Sequence, residues 1–579
     1  MKKSLLFLPL ALALWSCSDN DMSSNSGDNQ SNGKEELRYI AVNIVSNGIG
    51  SRAADGYEDG TGSENSVTSV RFFLFNSDDE CIDIVDSEPG STDDTNSSDD
   101  IEKKLDAVII FEGAEAGAPV QIVAVCNPPS AVEGLTKNEV SSPEYLQTVV
   151  DNYGTTASGP FIMSNSIYAE NKSGALSEHV AFTVAECHES REAALADPVE
   201  IYVERVVAKT RVNTTMIKVE EKDYYSITNK SSDSYSNTTT ATATIYDAEG
   251  NGQSKNIYLK LLGWDVSGSA PKSRLVKKIE NSWTGDNFKW FSTDNGWNST
   301  YRSFWAENPS DVDAKDELTF KSFNDHKSVQ TSFSRASIYI QENASWSNEG
   351  KNPGYPTKLI VAAQLVDDSE DGIDLAWYKG NYYTMDQLLA VFATESNIYY
   401  STDQQTYSPI STNDIEFVTS TSIGKNTEDN VNKYNAYVQF KSTESNSSYT
   451  WYTKSKGEYV EIEASGVESP SITNTINDML LALGNAKVWA DGYTYYWTDI
   501  AHLGNTGYGD KGIVRNHLYD FSLTSFVGFG IPVLNPEEEI DPEEPDDPDL
   551  AYVAAEINIL SWRVVTQSQQ SLGWDPDED

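Results

Sequence analysis

Hydrophobic and polar residues alternate with a period of two along most of this chain, the pattern of strands with one face buried. The first such run is LRYIAVNIV (37–45), which puts Ile40, Val42 and Ile44 on one face. From Val67 the spacing predicts strands at 67–75, 81–85, 105–112 and 120–126. VIIF (108–111) and VQIVAV (120–125) are almost continuously apolar and read as inner strands. IYVERVVAKTRV (201–212) reads as one long strand, with a domain boundary beside it. Further strands are expected at 256–263, 335–341, 357–365, 434–440 and 512–524. Helical spacing appears at 143–152, 189–195 and 474–483, and Thr384-Met-Asp-Gln387 has the capping-box pattern that opens a helix to Ala393. Frequent short strands with few helices predict β-sandwiches.

The last apolar run, YVAAEINILSWRVVT (552–566), is rich in β-branched and aromatic residues and contains no Gly or Pro. Its alternation slips: Val553, Ala555, Ile557 and Ile559 share one face, then Leu560, Trp562 and Val564 the other. That predicts two strand pieces joined by a bend or bulge, or a strand buried on both sides. Before it lies NPEEEIDPEEPDDPDL (535–550), an acidic, Pro-spaced segment that stays extended and solvated. Two readings follow: an ordinary last strand reached by a surface loop, or a strand on a leash, offered to another chain.

The N-terminus bears on that choice. Met1–Ser16 has a basic start (Lys2, Lys3) and an apolar run from Leu5 to Trp15, too short to span a bilayer and suited to a signal peptide. Leu14-Trp15-Ser16-Cys17 fits the lipoprotein-processing pattern, in which the Cys17 thiol is acylated after export; a plain secretory signal with an incidental Cys is the alternative. Asp19 and Asp21 resemble the surface-export signals of Bacteroidales lipoproteins. A polar tether leads to the 37–45 strand, which ends in a Gly-rich loop containing Arg52, followed by Ala53. Such polar loops are where proteases cut. Cleavage between Arg52 and Ala53 would release the lipidated segment together with its strand. A sandwich stripped of a strand presents unpaired backbone groups, a template for another strand.

With 579 residues, two to four domains are expected. The formal net charge of −48 argues against nucleic acid and against adsorption to anionic membrane, leaving the precursor lipid as the membrane contact. Cys81, Cys126 and Cys187 have no metal-binding spacing and read as buried thiols or one disulfide plus a thiol. The five histidines form no metal-ligand motif. Gly504–Gly512 lacks the Lys-Ser/Thr of a phosphate loop, and Asp367-x-Ser369-x-Asp371-Gly372 begins like a calcium loop but has Tyr378 where a closing Glu belongs. No catalytic residue, cofactor or metal is assigned. The aromatic pairs Trp377-Tyr378, Tyr382-Tyr383 and Tyr399-Tyr400, with Tyr493–Trp497, suit either sugar stacking or packing on sheet faces.

The chain resembles the fimbrillins of Bacteroidales, shaft subunits of type V pili, and within them the major subunits of short (minor) fimbriae. The resemblance rests on Cys17, SRAADGYEDG (51–60), VTSVRFFLFN (67–76), IYVERVVAKTRV (201–212), LKLLGWDV (259–266), GIVRNHLYDFSLTSFVGFGIPV (512–533) and AAEINILSWRV (554–564), and on their order over essentially the whole length. It implies two transthyretin-like β-sandwich domains, a few short helices and a C-terminal donor strand. It also implies a lipoprotein precursor on the outer membrane, cut by an Arg-specific surface protease, whose vacated groove is filled by a neighbour's C-terminal strand.

The expected plan is an all-β, non-enzymatic protein: signal peptide 1–16, lipidated propeptide 17–52, sandwich domains 53–200 and 201–534, acidic linker 535–550 and donor segment 551–579. Ile40, Val42 and Ile44 are expected in the displaced strand, and Ile557, Ile559, Leu560, Trp562 and Val564 as donor anchors. Expected partners are further copies of the chain, anchor and tip subunits and the protease. The alternative is a tip or accessory adhesin binding a glycan or host protein.

Overall fold

The computed structural model describes residues 37–46, 60, 62–88, 90–91, 103–112, 119–153, 159–166, 168–169, 179–180, 183–184, 187–231, 234–278, 306–309, 315–344, 355–423, 434–466, 470–500, 502, 512–542, 553–560 and 566–568. Strands dominate, with short helices between them.

The first sheet is built from β1 (Leu37–Ser46), β2 (Val70–Phe75), β3 (Cys81–Ser87), β4 (Lys103–Glu112), β5 (Gln121–Cys126), β6 (Met163–Asn165) and β7 (Val199–Arg205). Their order across the sheet is β3-β2-β5-β6-β7-β1-β4, with the two-residue strand 90–91 beyond β4. β3 and β4 approach each other in space, so the sheet curls around its core. That core holds Phe72, Phe73, Leu74, Ile109, Val123, Val125 and Val203. The continuously apolar sequence of β2 and β5 follows from burial on both faces.

The single long strand expected over 201–212 is two strands. β7 ends at Arg205, Val206 donates its N–H to the Ile162 carbonyl, and β8 (Val207–Thr214) continues in a different sheet. The expected helix at 143–152 is reduced to Tyr145–Thr148, because Val150–Asp151 turns extended to pair with Ser273–Arg274. Tertiary pairing overrides local propensity there.

Two sheets enclose the second core. One contains β9 (Ser234–Tyr246), β10 (Gly252–Ser267), β12 (Lys358–Val366) and β13 (Tyr493–Asp499) as neighbours. The other runs β11-β8-β14-β15-β16, where β11 is Ser334–Gln341, β14 Leu518–Phe526, β15 Val553–Leu560 and β16 Thr566–Ser568. Trp264, Ile360, Val361, Tyr496, Tyr519, Phe521 and Leu523 fill the space between. Residues 553–560 form one strand, with no break between Ile559 and Leu560, and β16 pairs antiparallel with residues 556–558 of β15; the rest of the expected second piece, with Trp562 and Val564, lies outside the described residues.

A third core that the sequence reading had not separated is built mainly from residues 385–486, between the strands Asn381–Thr384 and Lys487–Trp489, and takes in Ala376, Tyr378 and Val488. Helices Met385–Glu395 and Ile472–Leu481 pack there on Ile398, Val438 and Trp451. The Thr384 side chain caps the first helix by accepting from Gln387 N–H, but the reciprocal half of the box is absent: Gln387 Oε1 accepts from Ala248 N–H. No helix among the described residues is long and apolar enough to cross a membrane.

Candidate functional site

β1 is an interior strand. It pairs antiparallel with β4 over ten positions, from Leu37 opposite Glu112 to Ser46 opposite Lys103. On its other side it runs parallel to β7, with Val42 opposite Val199 and Ser46 opposite Val203. Among the described strands, β1 is the element that joins β7 to β4. Directly opposite residues of an antiparallel pair share a face. On β4, Ala107 and Ile109 are buried, whereas Ile110 is 49% exposed. In the register Val42 is opposite Ala107 and Ile40 opposite Ile109. Withdrawing β1 leaves two rims about 9.5 Å apart, twice the interstrand spacing. Each rim then carries a row of unpaired N–H and C=O groups.

The chain beyond the proposed cut is anchored at once. Glu64 is fully buried, and its carboxylate accepts from Tyr339 Oη at 2.7 Å and pairs with Lys209 Nζ at 2.7 Å. The Glu64 carbonyl accepts from Arg205 Nε at 2.8 Å, and Arg205 Nη1 reaches Asn516 Oδ1 at 2.9 Å. Arg205 and Lys209 flank the junction of β7 and β8, Tyr339 is on β11, and Asn516 precedes β14. Glu64 thus ties β7 of the first sheet to β8 and β11 of the other. The same seam holds two more buried ion pairs, Lys277 with Glu204 at 3.1 Å and Arg515 with Glu342 at 2.7 Å. Burial holds the Lys277 amine below the ordinary lysine range, against the opposing pull of the Glu204 carboxylate. Sequence reasoning missed this seam. Its signal was present in IYVERVVAKTRV, where four charges interrupt a strand otherwise apolar on both faces.

β15 pairs antiparallel with β14, placing Leu560 opposite Leu518, Ile559 opposite Tyr519, Asn558 opposite Asp520 and Ile557 opposite Phe521. In the single chain the C-terminal strand therefore occupies its own second-domain sheet, and the structure does not bring it to β1. Of the expected site residues, Ile40, Val42 and Ile44 lie on β1, and Ile557, Ile559 and Leu560 on β15. Cys17, Arg52, Ala53, Trp562 and Val564 lie outside the described residues.

Cys81 and Cys126 are free thiols, and Cys187 Sγ donates to the Pro119 carbonyl at 3.3 Å. Burial pushes the Cys126 thiol up to about 12 and, with the nearby Asp83 charge, Cys81 to about 11, so neither is a nucleophile at neutral pH. Tyr495, Tyr496 and Trp497 lie in the second core, and Tyr399 packs edge-on against Tyr459, with ring centroids 5.1 Å apart. Tyr382 packs edge-on against Phe529 at 5.5 Å. Asp367–Gly372 closes as a turn, with Asp367 Oδ1 accepting from Ser369 N–H at 2.8 Å.

Residues 39–202 match the family model of the major fimbrial subunit protein (FimA), and residues 487–568 match that of the C-terminal region of the type IV major fimbrial subunit, fimbrillin. No curated protein sequence matches the chain. Among solved structures, a fimbrilin (FimA) from Porphyromonas gingivalis W83 is 11% identical with a TM-score of 0.34, over 91% of this chain and 99% of that one. A Parabacteroides distasonis protein assigned to cell adhesion is 12% identical with a TM-score of 0.35, over 91% and 98%. The tip fimbrial protein Mfa3 of Porphyromonas gingivalis, truncated at its C-terminus, is 10% identical with a TM-score of 0.26, over 91% and 100%.

Proposed function

The chain belongs to the fimbrillin family of cell-surface fimbrial subunits, which are structural proteins and not enzymes, and we propose that it is a shaft subunit that polymerises by strand exchange after losing β1. The observation that carries this reading is the place of β1: interior to its sheet, hydrogen-bonded on both sides, yet joined to the rest of the chain through the loop containing Arg52. An interior strand that a single cut detaches leaves a two-sided slot, and a two-sided slot accepts one strand and no more. β15 is the occupant this chain can offer, because 535–550 gives it an acidic, Pro-spaced leash.

The precursor in this reading is an outer-membrane lipoprotein acylated at Cys17, cut between Arg52 and Ala53 by an Arg-specific surface protease. The fibre is a head-to-tail polymer of such subunits, completed by anchor and tip subunits and supporting adhesion. A tip or accessory adhesin is the second reading. Carrying both a removable strand and a C-terminal strand favours the shaft, since a subunit within a polymer must accept and donate.

The test is Arg52→Ala in the native host. Uncleaved, lipid-anchored monomers without fibres are expected. Normal fibres whose subunits begin well before Ala53 would reject the reading.

A further inference from the structure

This inference rests on the exchange reading, and it concerns register. We propose that Asn558 is the register key of the exchanged strand: in the neighbouring subunit it takes the place of Asn43, opposite Asp106, with the polarity of β1.

The two strands carry the same short pattern. β1 has Val42-Asn43-Ile44-Val45, and β15 has Ile557-Asn558-Ile559-Leu560. In each seat the Asn stands opposite an Asp across an antiparallel ladder: Asn43 opposite Asp106 on β4, Asn558 opposite Asp520 on β14. The two acceptor strands match around that Asp as well, Leu105-Asp106-Ala107 against Tyr519-Asp520-Phe521. A strand leaving β14 for β4 therefore meets the same order of an apolar residue, an Asp and an apolar residue, in the same direction.

The chemistry of the seat explains the residue type. Asp520 is 6% exposed; its Oδ2 is held by Arg211 at 2.5 Å, while its Oδ1 is buried with no hydrogen-bond partner among the described residues. A carboxylate oxygen only accepts, so the register position facing it favours a donor, and an amide donates without adding charge. In the slot the demand is stronger, because position 43 faces Asp106 on one rim and Glu200 on the other.

Alternative registers fail on two counts. Ala107 and Ile109 mark the core face of β4, so the proposed register puts Ile557 and Ile559 on that face and Glu556 and Asn558 on the other. A slip of one residue reverses the faces. A slip of two preserves them but brings Glu556 or Leu560 to the position between Asp106 and Glu200. Like charges directly opposite are destabilising, and an apolar residue there offers no donor.

The experiment is cysteine trapping in the full chain, expressed where fibres form, with single-cysteine variants as controls for the native thiols. Ala554→Cys, which leaves Asn558 and Asp106 in place, is combined in turn with Val108→Cys, Ile110→Cys and Glu112→Cys, and sheared fibres are oxidised and run without reductant. The Ile110/Ala554 pair, opposite each other in the proposed register, is expected to give the strongest subunit ladder, and Ser525→Cys with Ala554→Cys an intrachain link in unassembled precursor. A stronger ladder from Val108→Cys or Glu112→Cys overturns the register and leaves strand exchange standing. Fibres in which no β4 position links to residue 554 overturn both. A second variant guards against misfolding: Asn558→Asp should lose most of its fibre yield, and adding Asp106→Asn should raise it again. Normal fibre yield from Asn558→Asp alone would refute the key.

Discussion

Lys209 places its Nζ 2.7 Å from the Glu64 carboxylate, and the two side chains are 7% and 0% exposed. Glu64 lies 11 residues beyond Ala53, so the segment that becomes the new N-terminus in the proposed maturation is fixed to β8 and β11 before β2 begins. Loss of β1 then ends at this anchor and leaves those buried contacts intact. Removing one partner of a buried pair costs about 3–5 kcal/mol, because the other charge stays buried without compensation. Glu64→Ala should lower the unfolding free energy of the chain by that amount, read as a lower denaturant midpoint at unchanged slope, and amide exchange should rise first around residues 62–70 and 205–211. Replacing both Glu64 and Lys209 with apolar residues should cost less than Glu64→Ala alone. An unchanged midpoint in Glu64→Ala would remove the anchor role.

Gly263 is a position where the backbone itself is the partner. A Cβ there would stand 2.3 Å from the Lys327 carbonyl oxygen, at the register shift in β10 where Leu261 and Gly263 straddle an extra residue. The adjoining Trp264 is fully buried and donates from Nε1 to the Ser332 carbonyl at 2.9 Å. Gly263→Ala should therefore push the helix Phe323–Val329 away and destabilise the packing around the second core by roughly 1–3 kcal/mol, the usual cost of overpacking. Thermal unfolding followed by tryptophan fluorescence reads this directly.

What was legible in the sequence follows from which forces are local. β2, β5, β12 and β15 were found because strand periodicity and β-branched composition are written residue by residue. The break at Val206 was not, because Val206 and Val207 are as apolar as their neighbours; only the partner of each strand shows that one ladder ends and another begins. The helix expected over 143–152 shrinks to Tyr145–Thr148 because Val150–Asp151 has its pairing partner at Ser273–Arg274, over a hundred residues away. The candidate site divided in the same way: Ile40, Val42 and Ile44 could be assigned to one face from alternation alone. Their place in the middle of a sheet, with ladders on both sides, depends on β7, whose parallel pairing has no local signature.

Alkaline pH should weaken the second core, where Tyr495, Tyr496 and Tyr519 lie. Burial raises the Tyr496 and Tyr519 hydroxyls above the ordinary tyrosine range, and Tyr495 well above it. A folded pKa raised above the unfolded value contributes stability that is fully present below about pH 10 and is lost as pH rises toward the folded value. Lys277 works in the other direction, since its lowered pKa means the folded state gains as pH climbs toward the unfolded value. Three buried tyrosines oppose one lysine, so the urea midpoint should hold between pH 7 and 9 and fall above pH 10. Tyr496→Phe removes a single titrating hydroxyl that donates to the Gly528 carbonyl at 2.8 Å. It should cost about 1 kcal/mol at neutral pH for the lost hydrogen bond and flatten the decline above pH 10.

The C-terminal strand has two seats in this reading, and deleting it tests whether the second matters. In the single chain β15 covers the outer edge of β14, pairing from Leu518 to Phe526. A chain ending after Leu550 exposes that edge, but β14 keeps its parallel partner β8 and the buried Tyr519, Phe521 and Leu523 remain packed between the sheets. The truncated subunit should therefore fold, be exported and be cleaved, with a modest loss of stability. It should not polymerise, because the slot between β7 and β4 has no strand to receive. Burying Ile557 and Ile559 on the core face of that slot is worth roughly 1.5–3 kcal/mol each before entropy. Replacing both with Asp should block fibres as truncation does, while Glu556→Gln, on the opposite face, should be nearly silent. Fibre length by electron microscopy separates the cases. Normal fibres from the truncated chain would make β15 the closing strand of its own sheet and nothing more.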